Sequence, residues 1–105
     1  MDTIPNHIIQ IINNYLIELK KNQIPIQQAI LFGSYAKGNY HKNSDIDIAL
    51  VSEIFHGDRI LDKNKIRRVT LKVSYDLQVF PYNPKDFNRH NPFINDIIQT
   101  GKRLI

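Results

Sequence analysis

The sequence has no cysteine. Disulfide frameworks and thiolate metal sites are therefore excluded, and a reducing cytoplasm is the expected location. It also lacks an apolar run long enough to span a bilayer, and no basic-then-apolar leader opens it, so neither a membrane anchor nor a secretory signal is expected. The four histidines, His7, His41, His56 and His90, share no metal-ligand spacing, which leaves them structural or exposed. There is no repeat, no low-complexity tract and no linker. With 105 residues there is length for one hydrophobic core but not for a second substrate domain, so one domain over residues 1–105 is expected.

What is present is an ordinary globular composition, 42% hydrophobic, with a mild basic excess of +4. Such an excess suits an anionic partner without choosing among a nucleotide, a nucleic acid and an acidic protein. Residues 5–22 carry Ile8, Ile9, Ile11, Ile12, Tyr15, Leu16 and Leu19 near helical spacing, with Thr3 as N-cap and Pro5 in the first turn. Ala29-Ile30-Leu31-Phe32 reads as a short buried strand that stops at Gly33. Ser34 to Gly38 is a turn or a single helical turn, and a polar loop follows to Ser44. Asp45 to Val51 reads as a second strand. Residues 57–73 read as a helix lined by Ile60, Leu61, Ile66, Val69 and Val73, with basic residues opposite. Tyr75 to Phe80 is a third strand, ended by Pro81. Asn91-Pro92 to Thr100 is a capped helix stopped by Gly101. The order helix, strand, strand, helix, strand, helix predicts an α/β (α+β) domain with a small mixed sheet flanked by helices.

The chemistry concentrates in Asp45-Ile46-Asp47-Ile48-Ala49-Leu50. Side chains alternate across a strand, so Ile46, Ile48 and Leu50 face a core while Asp45 and Asp47 share the other face, their Cα atoms roughly 6–7 Å apart. Aspartate is disfavoured in strands, so two in one short strand call for a reason. Two carboxylates this close repel unless a cation lies between them, and hard oxygen donors suit Mg²⁺ or Mn²⁺. Asp76 shares a face with Gln78 and Phe80 on the third strand. Beside the second strand it would complete a set of three carboxylates able to hold two metal ions about 3.5–4 Å apart, as in-line phosphoryl displacement uses, and it is the natural base toward an attacking hydroxyl. Gly33-Ser34 closes the first strand in a turn whose backbone can approach an anion closely, with the Ser34 hydroxyl as a further donor. Lys37, Lys42 and Ser44 lie in the same loop, next to the carboxylates; the two lysines are candidates to offset triphosphate charge, and Lys37 and Ser44 join Gly33 and Ser34 as candidate nucleotide-binding residues.

A lone Gly-Ser or a lone Asp-x-Asp is weak. The ordered set is specific: apolar strand, Gly33-Ser34, ten residues, then Asp45-x-Asp47. It resembles the signature of the DNA polymerase beta-like nucleotidyltransferase superfamily, and the segment LFGSYAKGNYHKNSDIDIAL is similar to its minimal nucleotidyltransferase (MNT) branch. The resemblance implies a mixed sheet flanked by helices, ATP as substrate and two Mg²⁺ ions. It puts metal carboxylates at Asp45, Asp47 and Asp76, a phosphate contact at Gly33 and Ser34, and a basic residue at Lys37. It further implies an antitoxin whose partner is a small helical HEPN-type ribonuclease toxin, silenced by transfer of AMP to a tyrosine. Nucleic acid is not required in this scheme.

Two alternatives use the same residues. One is a binding module that neutralises its toxin by occlusion, without catalysis. The other is nucleotidyl transfer to an RNA end or a small molecule. The plainer readings are a solvated strand face for the aspartates, a simple turn at Gly33, and exposed surface for Lys37, Lys42, Arg67 and Arg68. Tyr35, Tyr40 and Tyr82 are candidates to stack on a base, although aromatic packing is commoner.

Overall fold

The computed structural model describes residues 4–105, so the Thr3 cap lies outside the described residues. The elements are α1 (Asn6–Lys21), β1 (Gln28–Phe32), α2 (Ser34–Lys37), β2 (Ile46–Val51), α3 (Arg59–Val73), β3 (Leu77–Tyr82), α4 (Pro92–Thr100) and β4 (Lys102–Arg103). The strands form one mixed sheet in the order β3-β2-β1-β4. β1 runs antiparallel to both β2 and β4, and β2 runs parallel to β3. The parallel pair needs a crossover, and α3 supplies it.

β1, β2 and β3 each feed two faces. Ala29, Leu31, Ile46, Ile48, Leu50, Leu77 and Val79 pack beneath α1 and α3 in the larger core. α1 contributes Ile8, Ile12, Tyr15 and Leu19, which recur at helical spacing and are buried. The Tyr15 hydroxyl lies 2.7 Å from Thr70 Oγ1, and Thr70 donates its own proton to the Ile66 carbonyl at 2.8 Å. With that proton committed, Tyr15 is the donor, and the bond ties α1 to α3. The opposite face holds Ile30, Phe32 and Ala49 against Ile97 of α4, with Phe80 and Tyr82 at its margin. α4 begins on Asn91, whose side chain accepts from the N–H groups of Phe93 and Ile94, with Pro92 in the first turn.

The structure departs from the sequence reading in three strand boundaries, in the buried face of α3 and in an added strand. Asp45 and Tyr75-Asp76 stand just before β2 and β3 rather than inside them. β3 passes through Pro81 to Tyr82. The parallel register explains the passage through Pro81: Asp76 and Tyr82 give their carbonyls to Ile46 of β2 and to Ser52 just after it, so residues of the other parity turn their backbone groups outward. Pro81 lacks only an outward N–H, which an edge strand tolerates. In α3, Ile60 and Leu61 are exposed at 74% and 60%, while Asp62, Ile66, Val69 and Thr70 turn inward. The buried Asp62 carboxylate accepts from the N–H groups of His56 and Gly57, both at 2.9 Å, and this sets the helix phase. Finally β4, a two-residue strand, follows Gly101 directly. Gly101 ends α4 at φ −76°, not in the left-handed region. A Cβ there would overlap Ile30 Cγ2 and the Ile97 carbonyl, so close packing demands the glycine.

Candidate active site

The antiparallel register pairs Phe32 with Asp47, and Gly33 follows immediately. Gly33 has φ 74° and ψ −150°, a backbone region open to glycine alone. A Cβ at this position would overlap Asp47 Oδ2 and lie 3.1 Å from its Cγ. The glycine therefore serves two ends: it turns the chain out of β1, and it lets the Asp47 carboxylate lie against the turn. Beyond it, the N–H groups of Ser34, Tyr35 and Ala36 have no acceptor among the described residues, whereas Lys37 N–H closes on the Gly33 carbonyl at 3.0 Å. Successive unpaired N–H groups at such a turn form a concavity for an anion.

Asp47 is half-buried and Asp45 exposed. Burial, and then the negative charge of Asp45, push the Asp47 carboxyl above its usual range. Neither carboxylate has a hydrogen-bond donor or a cationic partner among the described residues. A like-charged pair of hard oxygen donors with no protein cation to offset it fits a divalent metal ion.

Asp76 arrives through the backbone. Its carbonyl accepts from Ile46 N–H at 2.9 Å, so the start of β3 lies alongside Asp45-Ile46. Its charge reaches Tyr35, whose hydroxyl is raised above the ordinary tyrosine range by burial first, then by Asp76 and Tyr40. Among the described residues no group of three or more His, Cys, Asp or Glu side chains is assembled to hold a metal ion. The structure thus joins Asp45, Asp47 and the Gly33-Ser34 turn, whereas Asp76 meets the start of β2 through its backbone carbonyl and its carboxylate is not gathered with the other two into the three-carboxylate set the sequence suggests.

The loop residues are engaged in the protein itself. Lys37 Nζ is 3.4 Å from Asp96 Oδ2 of α4. Ser44 Oγ accepts from His41 N–H at 2.8 Å, which braces the loop before β2. Tyr35 and Tyr40 stack on each other with ring centroids 4.7 Å apart. Two features were not legible in the sequence. Phe32, Phe80 and Phe93 form an aromatic cluster, with centroids 5.1–5.9 Å apart, on the carboxylate face. Arg59 lies over the Phe80 ring at 5.3 Å. The alternation of Asp76, Gln78 and Phe80 signalled their shared face, but the placement of α4 and of Arg59 depends on packing that no spacing encodes.

This turn-and-carboxylate arrangement has a known family. Residues 9–105 match the family model described as the nucleotidyltransferase domain. The chain belongs to that family. Among its relatives, a Methanocaldococcus jannaschii protein provisionally named a protein adenylyltransferase is 55% identical over 81 residues, covering 75% of this chain and 78% of that one. The protein adenylyltransferase MntA of Shewanella oneidensis is 50% identical over 44 residues, which is 41% of this nucleotidyltransferase domain and 32% of MntA. The match thus spans about a third of that relative's length. Among solved structures, a toxin–antitoxin crystal structure with AMP-PNP superposes with a TM-score of 0.60 at 29% identity, covering 88% of this chain and 71% of that one. A mutant MntA–HpeT toxin–antitoxin complex gives the same TM-score at 25% identity, covering 89% and 71%. The fold read from the sequence, a mixed sheet with flanking helices, is the fold of these proteins. Among the described residues, no helix is long and apolar enough to cross a membrane.

Proposed function

We propose that this nucleotidyltransferase domain moves AMP from ATP to a hydroxyl on a partner protein, and that the partner is a HEPN-type toxin whose tyrosine accepts it. The observation that carries the reading is the contact between Gly33 and Asp47, which sets a phosphate-cradling turn directly against an unpaired acidic pair. The names of the relatives and the AMP-PNP bound in a structural neighbour support it.

In this reading, Asp45 and Asp47 hold divalent metal, with Asp76 as the third carboxylate. Mg²⁺, or Mn²⁺, supplies charge neutralisation for the triphosphate and acidifies the acceptor hydroxyl when bound. The free N–H groups after Gly33 and the Ser34 hydroxyl orient the phosphates. Lys37 adds positive charge at the loop once it leaves Asp96, and Ser44 holds the loop in shape. Asp76 accepts the proton of the acceptor hydroxyl. The hydroxyl oxygen bonds to the α-phosphorus, the bond from that phosphorus to the bridging oxygen breaks, and pyrophosphate leaves with the electron pair. Positioning and charge do most of the work, as phosphoryl-type transfers require little covalent help from the protein.

The test is intact-mass spectrometry of the protein encoded by the adjacent gene, after incubation with this chain, ATP and Mg²⁺. The expected result is a mass gain of one or more AMP groups, absent when Asp45→Asn and Asp47→Asn are combined. An unchanged mass despite a stable complex would overturn transfer to that protein and leave neutralisation by occlusion.

A further inference from the structure

β3 is the outer strand of the sheet on the carboxylate side, and its free edge is open. The register fixes which groups it offers. Asp76 and Tyr82 give their carbonyls to β2, so Leu77 and Val79 point their N–H and C=O away from β2. Those groups have no hydrogen-bond partner among the described residues. An edge of this kind is a template for another strand, and proteins with no use for it blunt it. Here the blunting is confined to one end. Pro81 offers no N–H, and Arg59 and Lys63 reach Phe80, at 5.3 and 5.8 Å from its ring. The Leu77–Val79 end opens instead on a groove of about 240 Å³ between β3 and α3.

The wall of that groove has one sign of charge. Lys63 and Arg67 line it together with Leu71 and Tyr75, and no acidic residue does. Neither Lys63 nor Arg67 has an acidic partner among the described residues, in contrast with Lys65 and Lys72, which pair with Asp62 and Glu18. Tyr75 is 83% exposed and Leu71 40%, so apolar surface lies beside the basic groups. Main-chain hydrogen bonding along an edge gives affinity, and side-chain pockets on either side give choice.

We infer that the Leu77–Val79 edge takes up an extended acidic segment of the acceptor protein as a fifth strand. The inference rests on the AMP-transfer reading and names how its acceptor is presented. The added strand would lie two inter-strand spacings from β2, about 10 Å away. Its side chains opposite Asp76 and Gln78 would share the face of Asp45 and Asp47.

The test is amide exchange read by NMR on the full chain. The probe is a synthetic peptide of alternating threonine and glutamate with one central tyrosine, and its control has lysine for each glutamate. Without peptide, Leu77 and Val79 amides exchange fast while Gln78 and Phe80 amides are protected. With the acidic peptide, exchange at Leu77 and Val79 slows at least tenfold, the lysine peptide has no effect, and the exposed pair Lys63→Glu with Arg67→Glu removes the protection. Unchanged exchange at these two amides, protection on another edge, or equal response to the lysine peptide overturns the inference. So does an RNA oligonucleotide that perturbs Arg67 when the acidic peptide protects nothing. The readout needs no turnover, and binding of Mg²⁺ with AMP-PNP is measured on the same sample. Edge protection without nucleotide binding would therefore retain the docking edge and remove the transferase reading.

Discussion

At Gly33 one missing methyl group decides whether two functions can touch. Alanine there takes on a backbone strain of about 1–3 kcal/mol and displaces the Asp47 carboxylate. Gly33→Ala is expected to lower stability by at least about 2 kcal/mol and to abolish Mg²⁺-dependent ATP binding, checked by chemical denaturation and calorimetry. Asp45 behaves in the opposite sense. Its charge helps to push the Asp47 carboxyl upward, so in metal-free protein the pair is a liability. Asp45→Asn should raise the melting temperature in chelator and erase the gain that Mg²⁺ with ATP gives wild type. A variant no more stable than wild type in chelator would show that the repulsion is not felt. The Asp45-x-Asp47 spacing was readable because strand alternation is a strict period of two. The pairing of Lys37 with Asp96 was not, since it joins residues brought together only by the packing of α4.

Among the elements, the helices show where periodicity suffices and where it does not. The buried stripe of α1 follows directly from its isoleucines and leucines, and the structure agrees. α3 does not follow, because a buried aspartate takes an inward position that hydrophobic spacing assigns to Ile60 or Leu61. The α1–α3 contact also carries a pH dependence. Burial pushes the Tyr15 hydroxyl up to about 12, against a smaller lowering by its bond to Thr70. A raised folded value means the neutral form is favoured. Its stabilisation is complete below pH 10, the ordinary value, and is lost as pH rises from there through about 12. Two units correspond to about 2–3 kcal/mol. Denaturation midpoints should therefore fall across that alkaline window in wild type and fall less in Tyr15→Phe. Parallel curves would remove Tyr15 as the cause. β3 was misjudged for a related reason: Pro81 reads as a stop, yet in this register its missing N–H faces outward.

For the molecule as a whole, ligand binding and folding are linked. Mg²⁺ and ATP at about a hundredfold excess over their dissociation constant should stabilise the native state by about 2.7 kcal/mol, a rise of roughly 10 °C or more in a chain of this size. ATP with EDTA should give none of it, and an equal shift in EDTA would detach nucleotide binding from the metal. The sheet also orders events in time. Phe32 and Asp47 close the β1–β2 hairpin, so the anion turn and the acidic pair are neighbours within one local loop. Asp76 joins only after the chain has travelled through α3 and returned as a parallel strand. Contacts of short sequence separation form readily, and parallel pairings come late. Substitutions along β1 and β2 should then slow folding, whereas those in β3 should chiefly speed unfolding. A chain caught between the two stages would already have a place for phosphates and metal, and no place yet for the group that receives the nucleotide.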